Sequence, residues 1–278
     1  MARAVKTRVV CFPFDLFGSG GAGDGARLLA DAVREMLADN RRERLATRAR
    51  SYQEHVRVRE LPFDTLADVQ AWRQRGRRAV HSAWNAGDFL LWVTGNHLGT
   101  LPIYDELARQ KSGNVLVVQF DAHLDVYNLA DCTRELSHGN FLLHCSGKLP
   151  PVVNLGHREL LLTPDYVGRY YERTFPAAEL ASDPGPALAY LKRAAAKAEA
   201  IFLDIDCDVF DPAFFPALSH PLPFGLAPQL LLRCLDVMWG RNVRGVALSE
   251  FDPGRDRDDR SLATLVWLVE YLLLKQYE

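Results

Sequence analysis

The chain has 278 residues, with 33 Lys and Arg against 35 Asp and Glu, so its formal net charge is -2. Hydrophobic residues make up 48% and charged residues 24%, a balance that excludes a disordered chain and gives no overall basic excess for a nucleic-acid or membrane-surface partner, although a local patch stays possible. The five cysteines form no Cys-x-x-Cys pair, and no apolar run reaches the roughly 18 residues of a membrane span, so we expect a soluble, cytoplasmic protein with free thiols.

Short apolar strands alternate along the chain with longer helical patterns. Strands are predicted, in chain order, at residues 8–12, 89–93, 115–120, 152–155, from 201 onward, and 243–248. Helices are predicted at residues 26–37, 66–86, 100–110, 187–200, 228–239 and 262–275. Strands that are apolar on both faces and alternate with helices are typical of a parallel sheet covered by helices. We therefore predict one α/β domain over residues 1–278.

Five clusters of polar residues fall at or just after predicted strands. Ligands of open α/β sheets bind outside the carboxyl ends of the strands, so these clusters are the first candidates for a functional site. The five clusters are residues 94–97, 121–125, 137–140, 204–208 and 249–253.

Two of these clusters combine aspartates and histidines in a pattern that favours metal binding. Alternate residues of a strand face one side, so the side chains of Asp121, His123 and Asp125 are expected to converge, as are the aspartates of 204–208. Buried carboxylates that converge repel one another and lose hydration, and a cation relieves both costs. Aspartate with histidine suits Mn²⁺ and also admits Fe²⁺, Ni²⁺, Co²⁺ or Zn²⁺. Two histidines and four aspartates exceed one ordinary site, so we predict two ions that share bridging carboxylates.

Two aspartates near this pattern are not expected to bind metal. For Asp204 we favour a structural role, such as hydrogen bonding to neighbouring backbone. Asp211-Pro212 is more typical of a turn, because an aspartate before a proline readily accepts hydrogen bonds from its own loop.

The motifs, in this order, resemble those of the arginase/agmatinase family of ureohydrolases. The strong match covers roughly residues 89–141 and 201–254, whereas 1–88 and 142–200 match only in general pattern. The residues that carry it are Gly95-Asn96-His97, Asp121-Ala122-His123-Leu124-Asp125, His138-Gly139, Asp206-Cys207-Asp208-Val209-Phe210-Asp211-Pro212 and Glu250. The resemblance implies a three-layer αβα fold with a mainly parallel central sheet.

The resemblance also implies a binuclear manganese site in which Asp121 and Asp206 bridge the ions. The other ligands would be His97 and Asp125 for one ion, and His123 and Asp208 for the other. Three residues would be catalytic: His138 matches the family's proton-transfer histidine, Glu250 matches its guanidinium-facing glutamate, and Asp125 belongs to both sets.

Guanidine hydrolysis needs the chemistry that such a site offers. A guanidinium carbon is a poor electrophile because resonance delocalises its charge, and water that bridges two cations readily becomes a positioned hydroxide nucleophile. A carboxylate such as Glu250 can orient the planar guanidinium by charge-assisted hydrogen bonds. Histidine suits protonation of the leaving amine near neutral pH, so we expect urea and an amine as products.

Several positions depart from the family pattern, and they bear on the substrate. Tyr127 stands where arginases have an Asn and Arg134 where they have a Ser, two residues that bind the substrate α-carboxylate there. The Asp that meets the α-amino group is missing after residues 156–158, and His220 stands where a small hydroxyl residue is typical. We predict Tyr127, Arg134 and His220 as substrate contacts. Agmatine, another guanidino compound or a peptidyl arginine is as well supported as free L-arginine.

Other functions stay open at this point. A formimino- or amide-hydrolase of the same superfamily would use the same chemistry, and a non-catalytic metal-binding protein would keep only the ligands. The segment Gly18-Ser19-Gly20-Gly21-Ala22-Gly23 matches Gly-x-Gly-x-x-Gly between a strand and a helix, the pattern of a dinucleotide-binding oxidoreductase. A loop at the rim of the pocket is the better expectation for it. No nucleic-acid or membrane partner is expected, and a homo-oligomer stays open.

Overall fold

The computed structural model describes residues 6–18, 20–110 and 114–278. Within them a single sheet holds eight strands in the order β2-β1-β3-β8-β7-β4-β5-β6. Every neighbouring pair is parallel, so the prediction of a parallel sheet is confirmed. The strands are β1 (Thr7–Phe12), β2 (Val56–Glu60), β3 (Phe89–Thr94), β4 (Val115–Phe120), β5 (Val152–Leu155), β6 (Arg173–Phe175), β7 (Ala200–Asp206) and β8 (Val243–Ser249).

Helices cover both faces of this sheet and give the three-layer αβα arrangement. The helices are α1 (Ala22–Arg42), α2 (Leu66–Gln70), α3 (Trp72–Ala86), α4 (Leu101–Leu107), α5 (Pro164–Val167), α6 (Ala177–Ser182), α7 (Gly185–Lys197), α8 (Pro228–Met238) and α9 (Arg260–Tyr277). Buried residues of α1, α6, α7, α8 and α9 pack in one apolar core, and those of α3, α4 and α5 pack in another.

Strand β1 shows how one strand supplies both cores. Its alternating side chains place Val9 and Cys11 in the core under α1 and Val10 and Phe12 in the core under α3, and all four are buried. The other central strands are buried on both faces in the same way, and their continuous apolar runs therefore predicted them. None of the helices in the described residues has the length and apolar character to cross a membrane. All five cysteines are free thiols, as expected.

The structure adds elements that the sequence patterns did not predict, namely β2, β6, α5 and α6. β2 and β6 are the two edge strands, and in β2 only Val56 is buried while charged residues alternate with valine. The helix predicted at 66–86 begins at a capping box formed by Thr65 and Asp68, and it is interrupted at Ala71, whose φ of -93° and ψ of 6° lie outside the helical region. The helix predicted at 100–110 follows a 3-10 turn and ends at Leu107.

Parallel alignment brings four of the five predicted polar clusters to one edge of the sheet. β3, β8, β7 and β4 are consecutive neighbours in the sheet, and all of them point in the same direction. The segments that follow these four strands therefore emerge side by side at the carboxyl edge, although they lie far apart in the sequence.

Candidate metal centre

His97 lies among buried carboxylates at the carboxyl edge of the sheet. It begins the 3-10 turn His97–Thr100 just after β3. Its Nδ1 lies 2.8 Å from Asp125 Oδ2 and 3.2 Å from Asp121 Oδ2. Asp206 Oδ2, from the last residue of β7, also lies 3.2 Å from this nitrogen. All four side chains are at most 7% exposed, so the four predicted partners form one desolvated cluster.

His123 and Asp208 form a second group beside the first. His123 Nδ1 lies 2.8 Å from Asp208 Oδ2 and 3.8 Å from Asp121 Oδ1. Backbone hydrogen bonds fix the carboxylates: the Ala122 amide donates to Asp208, and the Asp208 amide donates to Asp206. Asp121 therefore faces both histidines, one through each of its oxygens.

The donor atoms of these residues fit divalent cations. His97, Asp121 and Asp125 can each offer one ligand atom within 4.8 Å of the others, and so can Asp121, His123 and Asp208. Asp121 is common to both groups. Within the described chain, His97 Nδ1 and Asp121 Oδ2 are buried without a hydrogen-bond partner, a costly state for polar atoms. A cation at each group would satisfy these atoms and offset the charge of the carboxylates.

The pKa values of the cluster reflect how strongly it needs positive charge. Burial, together with Asp125 and Asp208, raises the pKa of Asp121 to about 7. Burial and the neighbouring Asp208 likewise raise the pKa of Asp206 well above its usual value. Burial opposes the charging of His123, but the carboxylate of Asp208 outweighs it and raises the pKa of His123 to about 10. Without a cation, this cluster therefore retains protons that bound metal would displace.

Two residues at this site, Asp125 of the cluster and the neighbouring Glu250, adopt a left-handed backbone conformation that glycine adopts more readily than other residues. Asp125 has a φ of 47° and Glu250 a φ of 60°, both in the left-handed region. Such strain costs on the order of 1–3 kcal/mol per residue and concentrates at functional sites. At Glu250 this conformation directs the carboxylate toward the turn that follows β3. There its Oε1 accepts a hydrogen bond from the His97 amide at 2.9 Å.

Asp204 and Tyr104 orient His97 from below. Asp204 Oδ2 accepts a hydrogen bond from the Tyr104 hydroxyl at 2.7 Å, and His97 Nε2 lies 3.0 Å from the same oxygen. A proton on Nε2 leaves Nδ1 to face the carboxylates as a ligand atom. The structural role expected of Asp204 therefore involves side chains of other elements rather than neighbouring backbone. The sequence did not identify Tyr104, because only the fold brings α4 over β7.

Arg158, which follows β5, braces the loop that carries Asp208. Its guanidinium donates to the backbone carbonyls of Asp208 at 2.6 Å, Val209 at 3.0 Å and Leu222 at 3.1 Å. The sequence patterns did not identify Arg158 as important. Because it donates to three backbone carbonyls, it fixes the geometry of this loop. Asp211 makes a turn, as predicted, since its side chain accepts from the amides of two residues of its own loop.

A cavity of about 240 Å³ opens above the metal ligands. Tyr127 and His220, two of the predicted substrate contacts, lie in its wall, and Asp121 lies beneath it, fully buried. Arg134 is exposed and is not part of this wall. The other predicted site residues in the wall are His97, His123, Asp125, His138, Asp206, Asp208 and Glu250.

The glycine-rich segment after β1 lies against this site. The His138 amide donates to the Phe17 carbonyl at 3.2 Å. A Cβ on Gly18 would come within 2.8 Å of the His138 ring and 2.9 Å of the Asn96 amide, so only glycine permits the close approach. Asp15 holds the segment by accepting from the Gly21 amide at 2.7 Å, whereas Ser19 lies outside the described residues. This placement agrees with a loop at the rim of the pocket.

Fold and site together define an α/β protein with a histidine–carboxylate centre at the carboxyl edge of a parallel sheet. The family model of the arginase family matches residues 5–274. The chain therefore belongs to the arginase family, as its motifs predict, and is an enzyme of the ureohydrolase class. The match favours this interpretation over the dinucleotide-binding one.

Individual members of this family match most of this chain over most of their own length. The chain is 27% identical to an agmatinase of Proteus mirabilis over 262 residues, 89% of this chain and 79% of that protein. It is 23% identical to a formimidoylglutamase of Enterobacter sp. (strain 638) over 91% of this chain and 80% of that protein. The crystal structure of arginase from Bacillus subtilis has a TM-score of 0.77 at 21% identity, covering 96% and 98% of the two chains, which confirms the fold.

Proposed function

We propose that this chain, as a single metallohydrolase domain over residues 1–278, binds two Mn²⁺ ions and hydrolyses a guanidino group to release urea. The observation that supports it best is the pair of donor groups that share Asp121 beneath a cavity walled by Glu250 and His138. Family membership supplies the reaction class, and the shared carboxylate favours two ions over one.

The six ligands would divide between the ions around the two bridging carboxylates, Asp121 and Asp206. His97 and Asp125 would complete one set, and His123 and Asp208 the other. When bound, the two cations would supply the Lewis acidity that ionises water near neutral pH. The chain's own contribution is to hold Asp206 and Asp208 through backbone hydrogen bonds and His97 through Asp204 below it.

Glu250 would hold the guanidinium of the substrate. Glu250 is 6% exposed and lies in the wall of the cavity, and its carboxylate is fixed by the His97 amide. A buried carboxylate beside a planar cation forms strong charge-assisted hydrogen bonds, which would orient the guanidinium carbon above the ligand cluster.

His138 would protonate the leaving amine. Its Nδ1 lies 3.3 Å from Glu250 Oε1, and this hydrogen bond, which outweighs burial, raises the pKa of His138 above 6.5. Glu250 therefore favours the protonated imidazole, which can give its proton to an amine that departs from the cavity.

The substrate we propose is arginine-like and is chosen by the wall of the cavity. Tyr127 and His220 would meet the part of the substrate beyond the guanidino group. Burial and a hydrogen bond to Glu159 raise the pKa of Tyr127, so its hydroxyl stays neutral and donates to Glu159. Agmatine, another guanidino compound and a peptidyl arginine are candidates beside free L-arginine. Arg134 is exposed, so it would contact only a substrate that extends beyond the cavity.

A urea-release screen tests this function directly. We expect the manganese-loaded protein to release urea from at least one of arginine, agmatine, guanidinobutyrate, guanidine and short arginine-containing peptides. The matched control is the same protein with His138→Asn, which should lose most of the activity while it keeps its metal. Urea from none of these compounds would contradict the proposed substrate class, although the metal site would still stand.

Hydrolysis of a formimino group is a second candidate. It is favoured by the similarity to the Enterobacter formimidoylglutamase and by the absence of the α-amino and α-carboxylate contacts of arginases. A formimino group has the same planar C–N unit as a guanidino group. Glu250 could orient it, and His138 could protonate its leaving amine. The same screen extended to formimino-glutamate, with formamide as the measured product, separates the two candidates.

Manganese should also stabilise the folded chain. A ligand that binds only the native state at 100 times its Kd raises the free energy of unfolding by about 2.7 kcal/mol. We expect thermal unfolding after Mn²⁺ addition to shift upward by several degrees, and metal analysis after gel filtration to find about two ions per chain. A metal-free chain after manganese loading would contradict the proposed site.

A further inference from the structure

A second cavity, of about 610 Å³, lies far from the metal ligands, between α3 and the strands β1 and β2 at the edge of the sheet. Its floor is apolar and includes Val10, Leu61 and Ala79. Its rim is strongly basic and includes one carboxylate, Asp88. The basic residues of this cavity, here called the basic groove, are Lys6, Arg8, Arg57, Arg59, Arg75 and Arg78.

The register of the strands and the pitch of the helix assemble this groove. Arg57 and Arg59 stand two residues apart on β2, so both side chains lie on the same face of the sheet, and Arg8 of β1 is the direct neighbour of Arg57. Arg75 and Arg78 stand three residues apart on α3 and therefore share one helix face. Residues from three elements thus direct positive charge into one space.

Part of this charge is not neutralised by the protein. Arg8 pairs with Asp88 at 2.7 Å and Arg75 with Asp68 at 2.9 Å. Among the described residues, Arg57 donates only to the backbone carbonyls of Glu54 and Val56. In the part of the chain that the structure describes, neither Arg59 nor Arg78 forms an ion pair, and both are exposed.

Protection of an edge strand against pairing explains only some of these residues. Charged side chains on an edge strand discourage aggregation, and β2 is an edge strand. The two arginines of α3 do not lie on that edge, however, and they add repulsion to the same space. A chain with a net charge of -2 that gathers six cations around one concave surface has the electrostatic character of an anion site.

We propose that the basic groove binds a small molecule that carries two or more phosphate groups. Guanidinium groups match phosphate oxygens in a bidentate fork, and Arg57, Arg59 and Arg78 offer such forks without breaking an ion pair. The volume of the groove falls within the range of about 300–1,000 Å³ typical of small-molecule sites. The apolar floor would accept an organic portion of the ligand. This site is independent of the proposed hydrolytic function.

The test compares two double variants that each remove two positive charges. Arg59→Gln with Arg78→Gln removes charge from the groove, and Arg193→Gln with Arg241→Gln removes it from exposed positions outside the groove. Tripolyphosphate is the probe, and binding is measured by isothermal titration calorimetry on the purified chain. Any removal of metal by the probe affects both variants equally, so the difference between them reports on the groove.

We expect the wild type and the Arg193/Arg241 variant to bind tripolyphosphate with the same affinity. We expect the affinity of the Arg59/Arg78 variant to be lower by about tenfold or more. Equal weakening in both variants would show diffuse attraction to the surface and overturn the proposal. Absence of binding by the wild type would overturn it too. A single-stranded RNA oligonucleotide forms a second arm, and tight binding of RNA without binding of tripolyphosphate would reassign the groove to a polynucleotide.

Discussion

Replacing Asp121 by Asn should abolish urea release and leave at most about one manganese ion per chain. Asp121 is the residue common to both donor groups, and each of its oxygens faces a different histidine. An amide offers one neutral oxygen in place of the two oxygens of a carboxylate, so one ion would lose a ligand and the other would keep only a neutral one. We expect kcat/KM to fall by roughly 10³-fold or more, measured with the best substrate of the screen beside metal analysis of the same sample.

Asp165→Asn is the matched control, because Asp165 is exposed on α5 and lies outside the cavity. It makes the same chemical change and should leave activity and metal content unaltered. Full activity of the Asp121 variant, or loss of activity with two ions still bound, would contradict the bridging role.

Stability distinguishes this loss of function from a failure to fold. Burial, with Asp125 and Asp208, raises the pKa of Asp121 from 3.8 to about 7 in the absence of metal. The native state then binds a proton more tightly than the unfolded state, so the metal-free wild type loses stability as the pH rises through this interval. Asn cannot ionise. We therefore expect the metal-free Asp121→Asn chain to unfold at a higher temperature than the metal-free wild type at pH 8.

The central strands and the ligand motifs could be predicted because their signals are local. Residues 115–120 form β4 with the predicted bounds. A short run that is apolar on both faces is typical of a strand buried in the centre of a parallel sheet. Both ligand motifs follow strands of the same direction, β4 and β7, but strand alternation does not describe them. Asp121, His123 and Asp125 lie in the turn after β4, and Asp208 lies in the 3-10 turn Cys207–Val209. Asp204 and Asp206 are themselves part of β7, so the strand carries its polar residues into the site.

The remainder depended on contacts between elements that no local pattern encodes. Tyr104 reaches Asp204 only because α4 packs over the sheet, and Arg158 reaches the Asp208 carbonyl only because β5 lies next to β4. Arg134, predicted as a substrate contact from its place before the His-Gly motif, is exposed and lies outside the cavity wall, and its role stays a prediction. The basic groove was hidden for the same reason, because its cations come from separate segments of a chain with nearly balanced charge.

Replacing Glu250 by Gln should separate substrate orientation from metal binding. Glu250 is absent from both donor groups, so two ions should remain. The amide keeps an oxygen that can accept from the His97 amide, but it removes the negative charge that would face the guanidinium. Loss of a charge-assisted, two-point contact costs on the order of 3 kcal/mol, so we expect kcat/KM to fall by roughly 10²-fold. Glu179→Gln, on the exposed face of α6, is the control.

The pH profile of the Glu250 variant tests the link to His138. The hydrogen bond to Glu250 is the main reason that the pKa of His138 lies above 6.5, and a neutral amide cannot favour the imidazolium in the same way. If protonated His138 delivers the proton to the leaving amine, activity is lost as the pH rises through its pKa, and this basic limb should move to lower pH in Glu250→Gln. An unmoved limb would mean that another group donates the proton, and loss of both metal ions would assign Glu250 to the metal centre instead.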